Sequence, residues 1–476
     1  MSQRPTLLWL RADLRIEDNP ALVFAAERGP VIPVYMDESA AEPVPGAAAR
    51  VWLHEALSSL QGALAGLGSR LVIRRGDARD ELLQLARECN AQGIVWNRRY
   101  GPREVALDTD IKAACKDAGL AVRSFAGALL NEPHEIRNKQ NAPFKVFTAF
   151  YKHCLANTSI RAPCPAPSKL DAPDKWPDSA DLASLKLLPE HPWAKSMMTS
   201  WDASEAGAKV ALERFAAAPV LRYDTGRDQP GTDGVSRLSP YLHCGQVSAA
   251  QIHAAVAHHA EAAAPYVRQL YWRDFAHHLL FHFPDMPGLE LTPAFRAFPW
   301  LAEADVPDQV AAWRAGMTGY PLIDAGMREL WQQGWMHNRV RMNVASFLVK
   351  HLRVDWRVGA AWFWDTLVDA DLANNSMGWQ WGAGCGVDAA PYFRIFNPVA
   401  QGQRFDPQGT YIRRFVPELA RLPERWIHQP WAADAATLRA AGVELGTTYP
   451  HPVVDHKTAR AEALAAFAEM RGQAGR

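Results

Sequence analysis

Short apolar runs alternate with amphipathic stretches over the first 125 residues of the chain. The apolar runs predict β-strands at Thr6–Arg11, Val31–Met36, Arg70–Arg75, Gly93–Trp96 and Ala121–Phe125. The stretches between them have helical spacing, and they cover Ala21–Arg28, Val51–Leu67, Arg79–Cys89 and Val105–Ala118. Strands that alternate with helices predict a parallel sheet wound on both faces. No G-x-G-x-x-G motif follows the first strand, which argues against a NAD-type oxidoreductase.

The pattern changes after residue 130. Proline is dense in Arg161–Pro177, which is typical of a connector on the surface. From Ser200 onwards helical spacing dominates, as in Ser204–Ala217, Ala249–Ala263 and Gly319–Gln333. We therefore predict an α/β, Rossmann-like parallel-sheet domain in residues 1–130, a linker in 131–200 and a larger all-α domain in 201–476.

Composition and charge narrow the function classes. The 51 basic residues balance the 51 acidic residues, so bulk charge does not hold a nucleic acid, although a local basic groove is compatible with this balance. The six cysteines form no C-x-x-C pair, which argues against a disulfide framework or a zinc site and fits a reducing cytoplasm. No apolar run approaches the roughly 20 residues of a membrane helix. We expect a cytoplasmic protein without a metal.

Tryptophan is unusually abundant, with 18 residues in the chain. Ten of them lie between Trp272 and Trp381. A large aromatic residue usually packs in a core or an interface. This density instead suggests stacking on a flat ligand or a path for electrons.

Two segments carry residues suited to an anionic cofactor. Gly234–Pro240 places serines and an arginine before a predicted helix, which suits a diphosphate, although ordinary helix capping gives the same pattern. In the segment Trp335–Met342, Asn338, Arg341 and Met342 share one helical face while Arg339 points elsewhere. Such a helix can serve a cofactor on one side and a phosphate on the other, and a solvated helix with salt bridges is the alternative.

A third segment, Asp369–Trp381, combines two carboxylates, two amides and two tryptophans. It follows the apolar Phe363–Val368, so we expect it inside the fold, where buried carboxylates need partners. Arg341 is the candidate partner. No histidines stand at ligand spacing, so a metal site is poorly supported.

These motifs resemble the photolyase/cryptochrome family. The resemblance includes Leu8–Arg15 with Asp18 and Asn19, the three segments above and Tyr392–Pro398, in the family's order along nearly the whole chain. It implies an FAD-binding helical domain and light-driven repair of cyclobutane pyrimidine dimers in DNA. In that reaction an electron passes from photoexcited reduced FAD to a flipped-out lesion, a mechanism known for photolyases.

The resemblance also implies roles for residues around the flavin. Arg341 would pair with Asp369 beside the isoalloxazine, Asp371 would contact the same ring system, and Asn375 would face flavin N5. The residues that would hold the phosphates and the ribityl chain are Tyr223, Ser236, Arg237, Leu238 and Ser239. The tryptophans that would carry electrons to the flavin are Trp379, Trp356 and Trp300.

For the lesion, Trp272 and Trp381 would stack on the dimer, while Asn338 and Met342 would line the pocket floor. The residues that would contact the DNA backbone or the lesion are Arg227, Gln269, Arg273, Arg339 and Gln401. Gln269 stands where many repair enzymes carry a glutamate. Glu104 matches a position that contacts a folate antenna, expected to be 5,10-methenyltetrahydrofolate. A deazaflavin or no antenna stays open, and so does a purely structural role for this carboxylate at a helix start.

Leu419–His428 and Gly442–Thr447 resemble plant cryptochromes, a combination typical of class III photolyases. The alternative is a cryptochrome-type blue-light photoreceptor without repair activity. Asn375, Trp381 and the short stretch after the last helical pattern at Thr458–Met470 favour repair. We expect a monomer whose partner is DNA that contains pyrimidine dimers.

Overall fold

The computed structural model describes residues 3–37 and 43–474. These residues form two compact units. The first unit comprises the described residues up to Leu221 together with Ser236–Pro284 and Val368–Ala373. The second unit comprises Arg222–Val235, Asp285–Leu367 and the chain from Asn374 onwards.

A parallel sheet forms the N-terminal part of the first unit. In the described residues its strands are β1 (Thr6–Leu10), β2 (Val31–Met36), β3 (Val72–Arg74), β4 (Gly93–Asn97) and β5 (Ala121–Phe125). Their order is β3-β2-β1-β4-β5, and every pairing is parallel. This order changes direction after β3, which places right-handed crossover helices on both faces.

Helices make up most of the remaining chain. Up to Cys244 they are α1 (Pro20–Ala26), α2 (Ala47–Gly66), α3 (Ala78–Glu88), α4 (Pro102–Asp117), α5 (Phe147–Asn157), α6 (Trp193–Met198), α7 (Glu205–Ala217), α8 (Tyr223–Gly226) and α9 (Ser239–Cys244). Between Ala249 and Thr366 they are α10 (Ala249–Val256), α11 (Ala260–His282), α12 (Pro307–Ala315), α13 (Pro321–Gln333), α14 (Asn338–Ser346) and α15 (Trp356–Thr366).

The last helices along the chain are α16 (Leu372–Ala383), α17 (Pro398–Phe405), α18 (Thr410–Phe415), α19 (Glu424–Ile427), α20 (Ala435–Ala441) and α21 (His456–Ala474). A π-helix at Phe347–His351 follows α14 directly. Short 3-10 turns lie at Leu182–Leu185, Pro219–Arg222, Ala257–His259, Pro293–Ala297, Glu303–Asp305, Pro417–Leu419 and Pro430–Ala432.

The centre of the sheet is apolar because β1 and β2 are buried on both faces. On one face Trp9 and Trp96 meet edge to face, 5.6 Å apart. The same cluster includes Leu82 of α3 and Ile111 of α4. Asp108 of α4 accepts hydrogen bonds from Trp96 and from the buried Arg11, which follows β1, so this carboxylate is paired.

The predicted fold class, an α/β parallel-sheet domain followed by a helical region, is confirmed. The interpretation of Ala249–Ala263 as one helix is wrong. The backbone leaves the helix at Ala257–His259, and Ala260 has a φ of +43°, which an α-helix does not tolerate. The predicted domain boundaries stay predictions.

The proline-rich segment is held within the first unit by Asp18. Its carboxylate accepts hydrogen bonds from the Arg161 side chain, the Cys164 backbone N–H at 3.0 Å and the Ser248 hydroxyl. Asp18 is fully buried, and burial opposes its charge, but these donors lower its pKa. The proline-rich segment is therefore hydrogen-bonded to the N-terminal part of the first unit.

Candidate functional site

The first unit contains the serine–arginine segment that was predicted to hold a diphosphate. Ser236 Oγ accepts a hydrogen bond from the Leu238 N–H at 3.3 Å, and α9 begins at the next residue. Arg237 has a φ of +54°, and its guanidinium lies 4.5 Å from the centre of the Trp201 ring. Leu238 is the N-cap residue and makes no side-chain cap, so capping by a serine does not explain this motif.

In the second unit, a close backbone contact shapes the segment around Tyr223. A Cβ on Gly234 would lie 2.5 Å from the Gly226 carbonyl oxygen, so only glycine fits there. Tyr223 is buried, which raises the pKa of its hydroxyl to about 12. It therefore stays a neutral hydrogen-bonding group at physiological pH.

Two aspartates predicted beside the isoalloxazine lie in the first unit. Asp371 Oδ2 is 3.3 Å from His277 Nε2. Burial opposes its ionisation, yet the charge of His277 holds the pKa of Asp371 well below its usual range. Burial lowers the pKa of the neighbouring His243. An anionic carboxylate of this kind accepts a hydrogen bond from a ring N–H, which a flavin offers. Asp369 is buried, and its pairing with Arg341 stays a prediction.

Asn375 lies on α16 in the second unit. Its Nδ2 donates a hydrogen bond to the Ala360 carbonyl of α15 at 3.0 Å. One of the two N–H donors of the amide is thereby used by the protein, and the amide also has a second N–H and one acceptor, Oδ1. That acceptor suits a protonated flavin N5.

Trp379 follows Asn375 by one helical turn and is buried, with 2% of its surface exposed. It packs edge to face on Phe363 at 5.0 Å and lies 6.3 Å from Trp313. A Cβ on Gly359 would overlap its ring at 2.0 Å, so the glycine in α15 makes room for the indole. These contacts hold the Trp379 ring in its observed orientation.

The other two tryptophans of the predicted electron path are positioned by backbone and side-chain contacts in the second unit. Trp356 is fully buried, begins α15 and donates to Glu290 at 3.2 Å. Trp300 is half-buried. The residue after Trp300 forms a β-bridge with Val354, two residues before Trp356. The bridge brings the backbone segments of Trp300 and Trp356 together, and the role of the two indoles in electron transfer stays a prediction.

The predicted lesion contacts of the first unit lie on α11. Gln269 Nε2 donates to the Pro265 carbonyl at 3.1 Å, and Arg273 Nη1 donates to the Ala128 carbonyl at 2.8 Å. Trp272 is half-buried and stacks on Phe147, with ring centres 3.6 Å apart and planes 8° apart. Phe147 therefore covers one face of the Trp272 indole, and a ligand can stack only on the other face. Phe147 was not among the predicted residues.

The second unit carries the remaining predicted DNA contacts. Arg339 donates to Asp228 from Nε at 3.1 Å and from Nη2 at 2.5 Å, and Arg227 lies 4.0 Å from the same carboxylate. Asn338 is exposed and lies near Met342, with Nδ2 3.9 Å from the sulfur. Trp381, Met342 and Gln401 are half-buried. The roles of these residues stay predictions.

A pocket that sequence reasoning missed lies between α12, α13 and α15 of the second unit. Its volume is about 490 Å³, and its lining residues are Ala311, Arg314, Ala315, Arg328, Trp331, Gln332 and Trp362. The rings of Trp331 and Trp362 are nearly parallel, with centres 6.2 Å apart and planes 8° apart. Trp331 is 56% exposed. The density of tryptophans was the only signal for this pocket in the sequence.

The predicted antenna residue, Glu104, lies in the first turn of α4. It accepts a hydrogen bond from Arg99 Nη2 at 2.8 Å, and one of its oxygens would meet a Cβ on Gly101 at 2.1 Å. The carboxylate thus folds back over the start of its own helix. Its role toward an antenna stays a prediction.

In residues 3–37 and 43–474, no group of three or more His, Cys, Asp or Glu side chains is placed to hold a metal ion. Across the same part of the chain, no helix combines the length and the apolar character that a bilayer span requires.

Comparison with known proteins matches two family models in the order of the chain. Residues 6–168 match the model described as DNA photolyase, and residues 266–469 match the FAD binding domain of DNA photolyase. A deoxyribodipyrimidine photo-lyase of Agrobacterium fabrum is 47% identical over 474 residues, which covers 98% of each chain. Cryptochrome-2 of Arabidopsis thaliana is 38% identical and covers 96% of this chain and 78% of its own.

Among solved structures, a bacterial class III photolyase from Agrobacterium tumefaciens superposes with a TM-score of 0.95 at 46% identity. The match covers 99% of this chain and 98% of the other. Identity at this level over both whole chains leaves one conclusion about ancestry. The chain belongs to the photolyase/cryptochrome family and carries that family's FAD-binding domain.

Proposed function

We propose that this protein is a deoxyribodipyrimidine photo-lyase of the class III type, which uses blue light to repair cyclobutane pyrimidine dimers in DNA. The near full-length identity to a deoxyribodipyrimidine photo-lyase supports this function. The feature of the site that supports it is the Asn375 amide, whose Nδ2 donates to the Ala360 carbonyl and whose Oδ1 we propose as the group that faces flavin N5. A group that does not titrate at N5 suits an enzyme that works from the fully reduced cofactor.

The residues present fit FAD by their chemistry. Hydroxyls and a guanidinium at Ser236, Arg237 and Ser239 suit its phosphates, and anionic Asp371 suits a ring N–H. When bound and reduced, FAD supplies the photoexcited electron that opens the cyclobutane ring, and it receives the electron back. Trp379, Trp356 and Trp300 pass electrons inward to restore the reduced state.

The lesion is held by stacking. Flipping a base out of the duplex costs a few kcal/mol, and stacking on an aromatic ring returns about 1–3 kcal/mol per base. Trp272 and Trp381 are the rings proposed to stack on the dimer, and Asn338 and Met342 are proposed to contact it. Arg227, Gln269, Arg273, Arg339 and Gln401 contact the DNA backbone or the dimer. Because the formal net charge of the protein is zero, these local contacts hold the DNA in place of a general electrostatic attraction to its phosphates.

We propose 5,10-methenyltetrahydrofolate as the antenna, and two positions compete for it. The parallel rings of Trp331 and Trp362 beside a pocket of about 490 Å³ suit a flat heteroaromatic ligand. Glu104 is the competing position. Trp362→Ala should abolish co-purification of the near-UV pigment while Glu104→Ala retains it. The reverse result places the pigment at Glu104.

The test of the function is repair of a thymine-dimer oligonucleotide by purified, chemically reduced protein, in blue light and in darkness. Loss of dimers in light alone supports the proposal. If the flavin photoreduces but the dimer persists, the chain is a cryptochrome-type photoreceptor. Gln269→Glu is then the first substitution to test for a gain of repair. A cytoplasmic monomer is part of the proposal.

A further inference from the structure

Helices α5 and α11, both in the first unit, meet through a stack of aromatic rings. Phe147, the first residue of α5, lies parallel to Trp272 with ring centres 3.6 Å apart and planes 8° apart. Tyr151, one turn later on α5, continues the stack at 5.7 Å and 11° from Phe147. The order of rings is therefore Trp272, Phe147 and Tyr151.

The stack is rigid at Phe147 and partly open at Trp272. Phe147 is 1% exposed and is held from the side by fully buried Phe275, 5.8 Å away and edge to face. The Arg268 guanidinium lies 5.2 Å from the Phe147 ring. Trp272 keeps exposed surface, since it is only half-buried. One face of the indole is therefore covered by a ring that cannot swing away.

We propose that Phe147 is a positioning residue for lesion binding, which fixes the plane of Trp272 so that the opposite indole face receives the flipped pyrimidine dimer. This inference rests on the repair function proposed above. An indole held only by its two side-chain torsions would have to be ordered when DNA binds, and that ordering weakens affinity. A ring already stacked on Phe147 meets the dimer in its bound orientation.

The test compares Phe147→Leu with Phe150→Leu in the full-length protein with its flavin. Phe150 is the matched control because it lies on the same helix with the same 1% exposure, and it packs on Phe275 and His278. The measurement is the ratio of the Kd values for an undamaged duplex and for the same duplex with one thymine dimer. Phe147→Leu should reduce this preference roughly tenfold, on the scale of one lost base–aromatic stack. Phe150→Leu should leave it within about twofold, since roughly 0.4 kcal/mol is the scatter of such comparisons.

A double-mutant cycle separates positioning from general loosening of the fold. In a Trp272→Leu background, Phe147→Leu should have no further effect on the preference, because the ring that it orients is gone. An equal loss in both backgrounds, an equal loss in both phenylalanine variants, or no loss in Phe147→Leu would overturn the inference. If Trp272→Leu alone keeps full preference, Trp272 does not stack on the dimer and the inference falls. Repair by the unmodified protein is scored separately, so the inference can fail while the proposed function stands.

Discussion

The Asn375 side chain uses one of its two N–H donors on the Ala360 carbonyl of α15. A carboxylate at the same position has no proton for that carbonyl, and two oxygens would face each other at about 3 Å unless the acid took up a proton. Position 375 therefore determines both the orientation of the group and whether it titrates.

We predict that Asn375→Asp lowers the yield of fully reduced flavin during illumination with an external reductant. The reason is that the new side chain loses its anchor on Ala360 and introduces a charge, or a proton of its own, beside N5. The yield is measured from the flavin absorption spectrum against time. An unchanged yield would contradict the assignment of Asn375 to N5.

Trp379→Phe should remove most of the photoreduction rate, while protein reduced chemically in the dark keeps its repair activity. Phenylalanine keeps an aromatic ring for Phe363 to pack on, but it lacks the distal indole atoms that contact Gly359 and is far harder to oxidise than an indole. The matched control is Trp313→Phe, since Trp313 is equally buried and lies beside Trp379 without belonging to the predicted path. Equal loss of repair under both conditions would show that Trp379 serves the structure instead of the electron path.

At the scale of elements, helix α11 holds the start of the predicted linker through one buried carboxylate. Asp274 accepts hydrogen bonds from the Asn131 side chain at 3.0 Å and from the backbone N–H groups of Asn131 and Leu130 at 2.8 and 3.3 Å. Burial raises the pKa of Asp274 to about 6 despite these donors and the nearby Arg273. The folded protein thus binds this proton more tightly than the unfolded chain does.

Protonation of Asp274 makes the free energy of unfolding depend on pH. The stability that this proton confers is complete below the unfolded pKa of about 4 and is lost as the pH rises through about 6, for a total of roughly 3 kcal/mol. We predict that Asp274→Asn flattens the decline in urea midpoint between pH 4 and pH 7. Asp171→Asn, at an exposed carboxylate of the same unit, is the control. A decline as steep as that of the unmodified protein would contradict the role of Asp274.

The elements themselves were predictable wherever the pattern of apolar residues was unbroken. The strand at Val31–Met36 has the predicted bounds, because continuous burial of a parallel strand leaves a plain apolar run. Ala121–Phe125 also has the predicted bounds, although no residue of this edge strand is buried. The break at Ala257–His259 was not predictable, since alanine and histidine carry no stop signal and the positive φ of Ala260 depends on packing. The π-helix at Phe347–His351 was likewise not predicted from the sequence.

At the scale of the whole molecule, the sequence predicted those site residues that lie in short motifs, and it did not predict contacts between residues far apart in the chain. Asn375 and Trp379 lie in one short segment with a distinctive composition, so the sequence singled them out, and the family resemblance implied their roles. The stack of Phe147 on Trp272 and the pair Trp331–Trp362 join residues far apart in sequence, so only the folded chain brings them together. Geometry of this kind has no local signature.

The most direct test of light-driven repair is a single-turnover flash experiment. Fully reduced protein is mixed with an equimolar thymine-dimer oligonucleotide and given one blue flash, and absorbance is followed at the wavelengths of intact thymine and of the flavin. We predict that thymine absorbance rises while the flavin spectrum returns to its starting form, because the electron given to the dimer returns to the flavin. A lasting change in the flavin spectrum without any gain of thymine would contradict it.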